Sequence, residues 1–313
     1  MAEQRIEAYD HGIWLIDLAS VSDPLLIPRA ISSALGLEVR AEHPLAALIA
    51  WLRGKHMLLV FDNCEHVIAA AAELATKILR GAPNVQIIAT SREPLRAEGE
   101  HLYRLAPLAS PPASPDVDAR EALSFPAVEL FVARAAASLG EFELDDADAS
   151  IVAEICRRLD GIPLAIELAA ARVGAIGVRG VAARMEDSLT LLSGGHRSTP
   201  PRQQTIRATL DWSYGLLTEP EQSVFRRLSV FASSFTLQEA ATVAVHSSRS
   251  QREIIDNVLE LVAKSLIMAD RHDPERCLWL LETTRAYARM RLAESGECNL
   301  IHRRHAEYQR GVL

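Results

Sequence analysis

The chain lacks the motif that would mark a phosphate-binding loop: nowhere do its 313 residues read G-x-x-x-x-G-K-[ST]. Such a loop places backbone N–H groups and a lysine around phosphate oxygens. The Gly54-Lys55 pair is no substitute, because it precedes an apolar strand rather than a helix N-terminus. Four cysteines, Cys64, Cys156, Cys277 and Cys298, lie far apart with no C-x-x-C pair. That argues against a zinc site and a disulfide framework and fits a reducing cytosol. Met1 to Asp10 has no apolar h-region, and the apolar runs are too short and too interrupted by charge to span a membrane. Basic charge is also short: 33 Lys and Arg against 41 Asp and Glu leave a net charge of -8. A whole-chain nucleic-acid binder would be basic. No internal repeat or low-complexity tract is present.

What remains is an ordinary globular balance, 49% hydrophobic and 24% charged, long enough for two or three domains. Gly12 to Ala19, Met57 to Phe61, Gln86 to Thr90 and His101 to Leu105 read as strands. Helical stretches at Leu26 to Leu35, Leu45 to Leu52 and Val67 to Arg80 separate the first three. Alternation of this kind predicts parallel β-α-β units and a sheet covered on both faces. Ala106 to Pro126 is rich in Pro, Ser and Ala and reads as a linker. Helices at Ala127 to Ala137, Ala149 to Leu159 and Pro163 to Val173 then predict a compact bundle, followed by a second linker at Ser193 to Arg202. Beyond it, helices at Gln204 to Leu217, Pro220 to Phe231, Leu237 to Val245 and Glu253 to Lys264 lead into a hairpin. Its strands are Leu266 to Ala269 and Cys277 to Leu281, joined by Arg271-His272-Asp273-Pro274, and a helix follows from Thr283 to about Ser295. Helices followed by a hairpin make a winged-helix pattern. A further helix starts at Ile301. The fold class is therefore α/β plus all-α, with boundaries at 1–110, 120–195, 200–296 and a tail at 297–313.

Two strand ends carry chemistry. Asp62 closes Met57-Leu58-Leu59-Val60-Phe61, where a carboxylate can hold Mg²⁺ directly or through water. Asn63 cannot serve as a general base, while Glu65 could polarise a water. The plainer possibility is that Asp62-Asn63 caps the helix near Val67. Thr90-Ser91-Arg92 ends the next strand, and an arginine there can meet a γ-phosphate or simply pair with Glu93 or Glu98. In an open parallel sheet ligands bind beyond the carboxyl ends of the strands, so Asp62 and Arg92 share one edge, as in a nucleotide triphosphatase.

Gly161 suits a helix C′ position and Pro163 the first turn of the next helix, which accounts for both as punctuation. His302 and His305 lack a third ligand and read as a solvated basic face. The third helix of the winged-helix pattern, Glu253 to Lys264, carries Glu253, Asp256 and Glu260 against Lys264. Its charge, and the breadth of its apolar positions Ile254, Ile255, Val258, Leu259, Leu261 and Val262, argue for packing inside the protein and against DNA contact.

Five segments resemble the nucleotide-binding and regulatory core of STAND-type signal-transduction ATPases, the NB-ARC relatives. The similarity is closest to the versions in large bacterial LuxR-type and cyclase-linked regulators. The segments are LLVFDNCEHV (Walker B), IIATSREPL (sensor arginine), GIPLAIELAAARV (the G-x-P motif), RQQTIRATLDWSYGLL and LVAKSL…LLETTRAYAR (entry to and exit from the winged helix). The resemblance implies a P-loop NTPase-like sheet that begins after its P-loop strand and helix, an ARC-type helical domain and a winged helix. It implies an ATP/ADP switch with Mg²⁺ in which Asp62 serves the metal, Arg92 senses the γ-phosphate and Pro163 contacts adenine, with Asn63, Thr90, Gly161 and Glu282 nearby. The motif reading Met-His-Asp in plant and animal relatives falls on Leu280-Leu281-Glu282, so Leu281 stands in for its histidine. The tail from Ile301 matches the start of the helical repeats that follow in the family.

Without a P-loop, Asp62 and Arg92 lack the groups that supply most of the favourable electrostatics for phosphates. The expectation is a cytoplasmic regulatory protein of this type acting through a protein partner or self-association. Nucleotide binding is expected to be weak or absent, with no ATP hydrolysis by this chain alone. The alternatives are a switch completed by upstream P-loop sequence and a winged-helix DNA-binding transcriptional regulator.

Overall fold

A computed structural model describes residues 8–19, 21, 23–37, 44–113, 117–185, 205–245, 250–270 and 277–312. The chain divides into two compact units, Met1–Tyr103 with Ala263–Ser265, and Arg104–Val262 with Leu266–Leu313.

The first unit is a three-stranded parallel sheet with helices. Strand β1 (Ile13–Asp17) leads through α1 (Ile27–Ala34) and α2 (Pro44–Leu52) to β2 (Met57–Asp62), and α3 (Ile68–Gly81) leads to β3 (Val85–Ala89). The order is β1-β2-β3, with Leu15 opposite Val60 and Val60 opposite Ile88. Side chains alternate across a strand, so Ile16, Leu59 and Phe61 enter a core with Leu48, Leu52, Leu74 and Ile78 from α2 and α3. Among the described residues the opposite face, where Leu58 is buried, is covered only in part, short of the full cover the sequence predicted. Leu15 is 63% and Ile88 53% exposed. Right-handed crossovers between strands added in one direction place every connecting helix on the same side.

A second expectation fails at His101 to Leu105, which forms no strand. Its alternating apolar residues are right for a strand. However, strands need a neighbour for their N–H and C=O groups, and among the described residues none pairs here. Tyr103 and Leu105 are left 85% exposed.

The second unit is helical apart from one hairpin. A bundle contains α4 (Ala119–Leu123), α5 (Pro126–Leu139), α6 (Asp146–Arg158), α7 (Pro163–Ala170) and α8 (Val173–Ala183). Phe131, Val152, Ile155, Leu159, Ile166 and Val181 lie at its centre. The expected linker from Ala106 is in part a bound strap. Leu108 N–H donates to Gly161 O at 2.9 Å, Ala127 N–H donates to Ala109 O at 3.2 Å, and Arg157 donates to the carbonyls of Pro111 and Pro112. Its later part holds α4. The second expected linker, Ser193 to Arg202, lies outside the described residues.

Helices α9 (Ile206–Gly215), α10 (Glu219–Leu228), α11 (Leu237–Val243) and α12 (Gln251–Ala263) precede the hairpin β4 (Met268–Ala269) and β5 (Leu278–Trp279). Then come α13 (Glu282–Glu294) and α14 (Cys298–Val312). The turn at 271–274 lies outside the described residues. Thr218 and Thr236 start α10 and α11 with reciprocal bonds to Glu221 and Glu239, the capping-box arrangement. Phe225, Phe231, Phe235, Val258, Leu261, Leu278 and Tyr287 fill this core. Helix α12 is only half inside it. Ile254, Val258 and Leu261 are buried, but Arg252 and Asp256 are exposed and Leu259 is 43% exposed. Its apolar positions are spread round the helix, and the fold selects one stripe of them.

Candidate functional site

The carboxyl edge of the sheet gathers five of the residues singled out from the sequence. β3 is prolonged past Ala89 by Thr90, whose N–H donates to Phe61 O at 2.8 Å and whose carbonyl accepts Cys64 N–H at 3.0 Å. This sets the Thr90 hydroxyl against the end of β2. The hydroxyl donates to Asp62 Oδ1 and accepts Asn63 N–H at 3.0 Å. Asn63 itself sits in the left-handed region at φ 62°, which asparagine tolerates better than most residues. Its side chain does not cap the following turn, and α3 begins from Val67. The capping explanation of Asp62-Asn63 is thus replaced by a tertiary one.

The same amide reveals a residue the sequence reading passed over. Asn63 Nδ2 donates to Asp62 Oδ2 at 3.0 Å and to Asp17 Oδ1 at 3.1 Å. Asp17 ends β1 directly opposite Asp62, so two carboxylates on adjacent strand ends are held by one amide. The signal was available, since Asp17 closes an apolar run just as Asp62 does. Asp17 also accepts Ala19 N–H at 2.9 Å.

Arg92 reaches a carboxylate that the sequence did not single out for it. Its Nε lies 3.9 Å from Glu65 Oε1, while Glu98 is taken by Arg80. The Glu65 side chain is only 7% exposed and engaged by a cation, which leaves it poorly placed to activate a water. Cys64 is buried between these groups, and burial, reinforced by Glu65 and Asp62, pushes its thiol up to about 12. It is no nucleophile at neutral pH. The edge therefore offers a carboxylate pair and one arginine, and no group of three His, Cys, Asp or Glu suited to a metal occurs among the described residues.

Gly161, Pro163 and Glu282 lie in the second unit. Pro163 opens α7 and is exposed. Gly161 is more than punctuation: it sits at φ +66°, and a Cβ there would lie 2.0 Å from the Leu108 carbonyl oxygen. Glu282 opens α13 and lies 3.5 Å from Arg285. Beside it, Asp160 Oδ2 accepts Thr283 N–H at 3.3 Å. His302 is exposed, and His305 packs edge-on against Phe231 with ring centroids 5.0 Å apart. Burial and the neighbouring His302 lower its pKa, against Glu239.

The winged-helix segment is electrically neutral. Residues 217–293 hold ten Lys and Arg and ten Asp and Glu, in a chain of net charge -8. No helix among the described residues is long and apolar enough to cross a membrane.

A family model described as a winged helix-turn-helix domain matches residues 217–293. Over 298 residues the chain is 39% identical to Rv0890c of Mycobacterium tuberculosis, a protein named as a proposed HTH-type transcriptional regulator; the match covers 95% of this chain and 32% of that protein. Mb0914c of Mycobacterium bovis, named in the same way, matches equally. The uncharacterized protein Rv0894 of M. tuberculosis is 33% identical over 307 residues, covering 97% of this chain and 75% of its own length. The chain spans about a third of the length of the curated regulators it matches.

Proposed function

The chain belongs to the family of the mycobacterial protein Rv0894, and from that premise we propose that it is the regulatory core of an HTH-type transcriptional regulator, with DNA as the partner of its winged-helix segment. The observation that carries this reading is the 39% identity, over 95% of the chain, to a protein named as such a regulator. The winged-helix match at 217–293 supports it. The reading displaces the expectation that the winged-helix segment makes no DNA contact, which rested on the acidity and apolar breadth of α12. That helix does present an outer face, with Arg252 exposed on it, and the surrounding segment is neutral rather than acidic.

Low positive charge sets the form of the contact. Each phosphate neutralised contributes a slope of about -0.9 to the dependence of log K on log salt. Few cations on α12 imply a shallow slope and a larger share of affinity from base edges or DNA shape. The test is selection of genomic fragments by the chain, followed by mobility shifts across a salt series. Enrichment of a common sequence, bound with a slope of about -2 to -4, supports the reading. Retention of no fragment at low salt sinks it.

A second reading deepens the first. The five resembling segments, together with the Asp62–Thr90–Asn63 arrangement at the carboxyl edge of a parallel sheet, support descent from a STAND-type ATP/ADP switch with an ARC-type bundle. These residues do not amount to a nucleotide site by themselves. Asp62, the Mg²⁺ candidate, already bonds Thr90 and Asn63, Arg92 is beside Glu65, and no G-x-x-x-x-G-K-[ST] cradle is in the sequence. Calorimetric titration with ADP and ATP in Mg²⁺ is expected to give affinity weaker than about 100 μM, equivalent to roughly 5.5 kcal/mol. Micromolar binding that is lost in Asp62→Ala would reinstate a working switch.

A further inference from the structure

The turn between α6 and α7 supplies something to α13 that α13 does not have. The first N–H groups of a helix have no partner within it and need acceptors. At the N-cap of α13, Leu281 offers no side-chain acceptor. Asp160, 123 residues earlier in the chain, accepts Thr283 N–H through Oδ2 at 3.3 Å, and the Glu282 N–H bonds the same carboxylate. Thr283 and Thr284 are 1% and 6% exposed, so water has little access to this end of the helix. The turn itself is firmly set. Asp160 occupies the left-handed region at φ 55°, its N–H donates to Arg157 O at 2.8 Å, and Gly161 N–H donates to Cys156 O at 3.1 Å. The carboxylate therefore projects from a fixed point of the bundle.

We propose that Asp160 is a latch between the bundle and the winged-helix segment: its carboxylate, set on a fixed turn of the bundle, caps α13 from outside the helix and holds that segment in place.

The direction of control follows from the surroundings. Burial is the dominant influence on Asp160, Glu282 adds to it, and the two N–H groups and Arg285 oppose it, leaving the carboxyl raised to about 6. Among the described residues, the charged side chains that act on it are Glu282 and Arg285, both of α13. A solvated aspartate titrates near 3.8. The held form therefore binds the proton more tightly than the released form, so acidification through about 6 strengthens the contact and neutral pH weakens it. At neutral pH the two hydrogen bonds hold a charge that burial disfavours.

Hydrogen exchange of the full chain, read on peptides spanning Leu280 to Ala286 and corrected for intrinsic rates, tests this. From pH 8 to pH 5 the wild-type peptide is expected to slow by about tenfold, the linkage factor for a carboxyl moving from 3.8 to 6. Peptides from α5 in the bundle serve as the reference and should not share the change. Asp160→Asn keeps an acceptor without the charge and should be slow at both pH values. Asp160→Ala removes the acceptor and should be fast at both. A wild-type peptide indifferent to pH, a change shared equally by α5, or an Asp160→Asn variant that keeps the wild-type response would each overturn the latch. Neither DNA nor nucleotide enters the measurement, so its result is separable from the proposed function.

Discussion

Leu108 occupies the space that a side chain on Gly161 would need. Its N–H donates to Gly161 O at 2.9 Å, and its carbonyl oxygen lies 2.0 Å from the position of a Cβ. The strap and the turn are thus one structural unit, and the glycine is demanded twice, by φ +66° and by the approach of a backbone atom.

Gly161→Ala is expected to destabilise the chain by about 3 kcal/mol or more, since backbone must move and a left-handed conformation is lost to an L residue. Gly140→Ala is the control. Its φ is +88°, but nothing lies within 4 Å of the new Cβ, so the cost should stay near ~1 kcal/mol. Urea unfolding of both variants measures the difference, and equal costs would mean that the Leu108 contact is dispensable.

Glu297 is the counter-ion of a buried arginine. It pairs with Arg227, whose side chain is 2% exposed, and lies 2.8 Å from Arg226 Nε. Burial would raise its pKa, but the bonds from Arg227 and Arg226 outweigh burial and hold it down at about 2. Glu297→Gln should cost about 3 kcal/mol, because one partner's charge is left buried. The depressed pKa contributes stability that is present above the ordinary value of 4.5 and is lost as pH falls from there through about 2. Unfolding midpoints from pH 6 to pH 2.5 should fall more steeply for the wild type than for Glu297→Gln.

Asn63 should prove more than a turn residue. Removing its amide in Asn63→Ala leaves Asp17 and Asp62 facing each other without a bridge, at a cost of about 1–2 kcal/mol. Adding Asp17→Asn should recover part of that loss. A double-mutant cycle checks this, and strict additivity would mean the two carboxylates do not sense one another.

The thiols should divide by burial. Cys64 and Cys156 are buried, and desolvation pushes both up to about 12, against Arg157 in the case of Cys156. The native chain should react with a disulfide reagent at Cys277 and Cys298 alone, and at all four positions once unfolded. Rapid native labelling of Cys64, read by peptide mass, would contradict the packing beneath Asp62.

Much of the fold is written locally. The run Met57 to Asp62 announces a buried strand with a polar tip, and the helices before Met268 announce the winged-helix segment, because periods of two and of three to four residues are read within a single element. The same local reading places Asp62, Thr90 and Arg92 at strand ends. It could not assign their partners. Arg92 meets Glu65, and Asp62 meets Thr90 across two strands.

What tertiary structure alone decided are the long reaches: Asp17 to Asn63 over 46 residues, Arg227 to Glu297 over 70, and Asp160 to Thr283 over 123. It also decided that His101 to Leu105 finds no strand partner among the described residues and that Leu15 and Ile88 face outward. Periodicity fixes which face of an element is apolar, but burial and hydrogen-bond partners depend on which other surface is available to meet it.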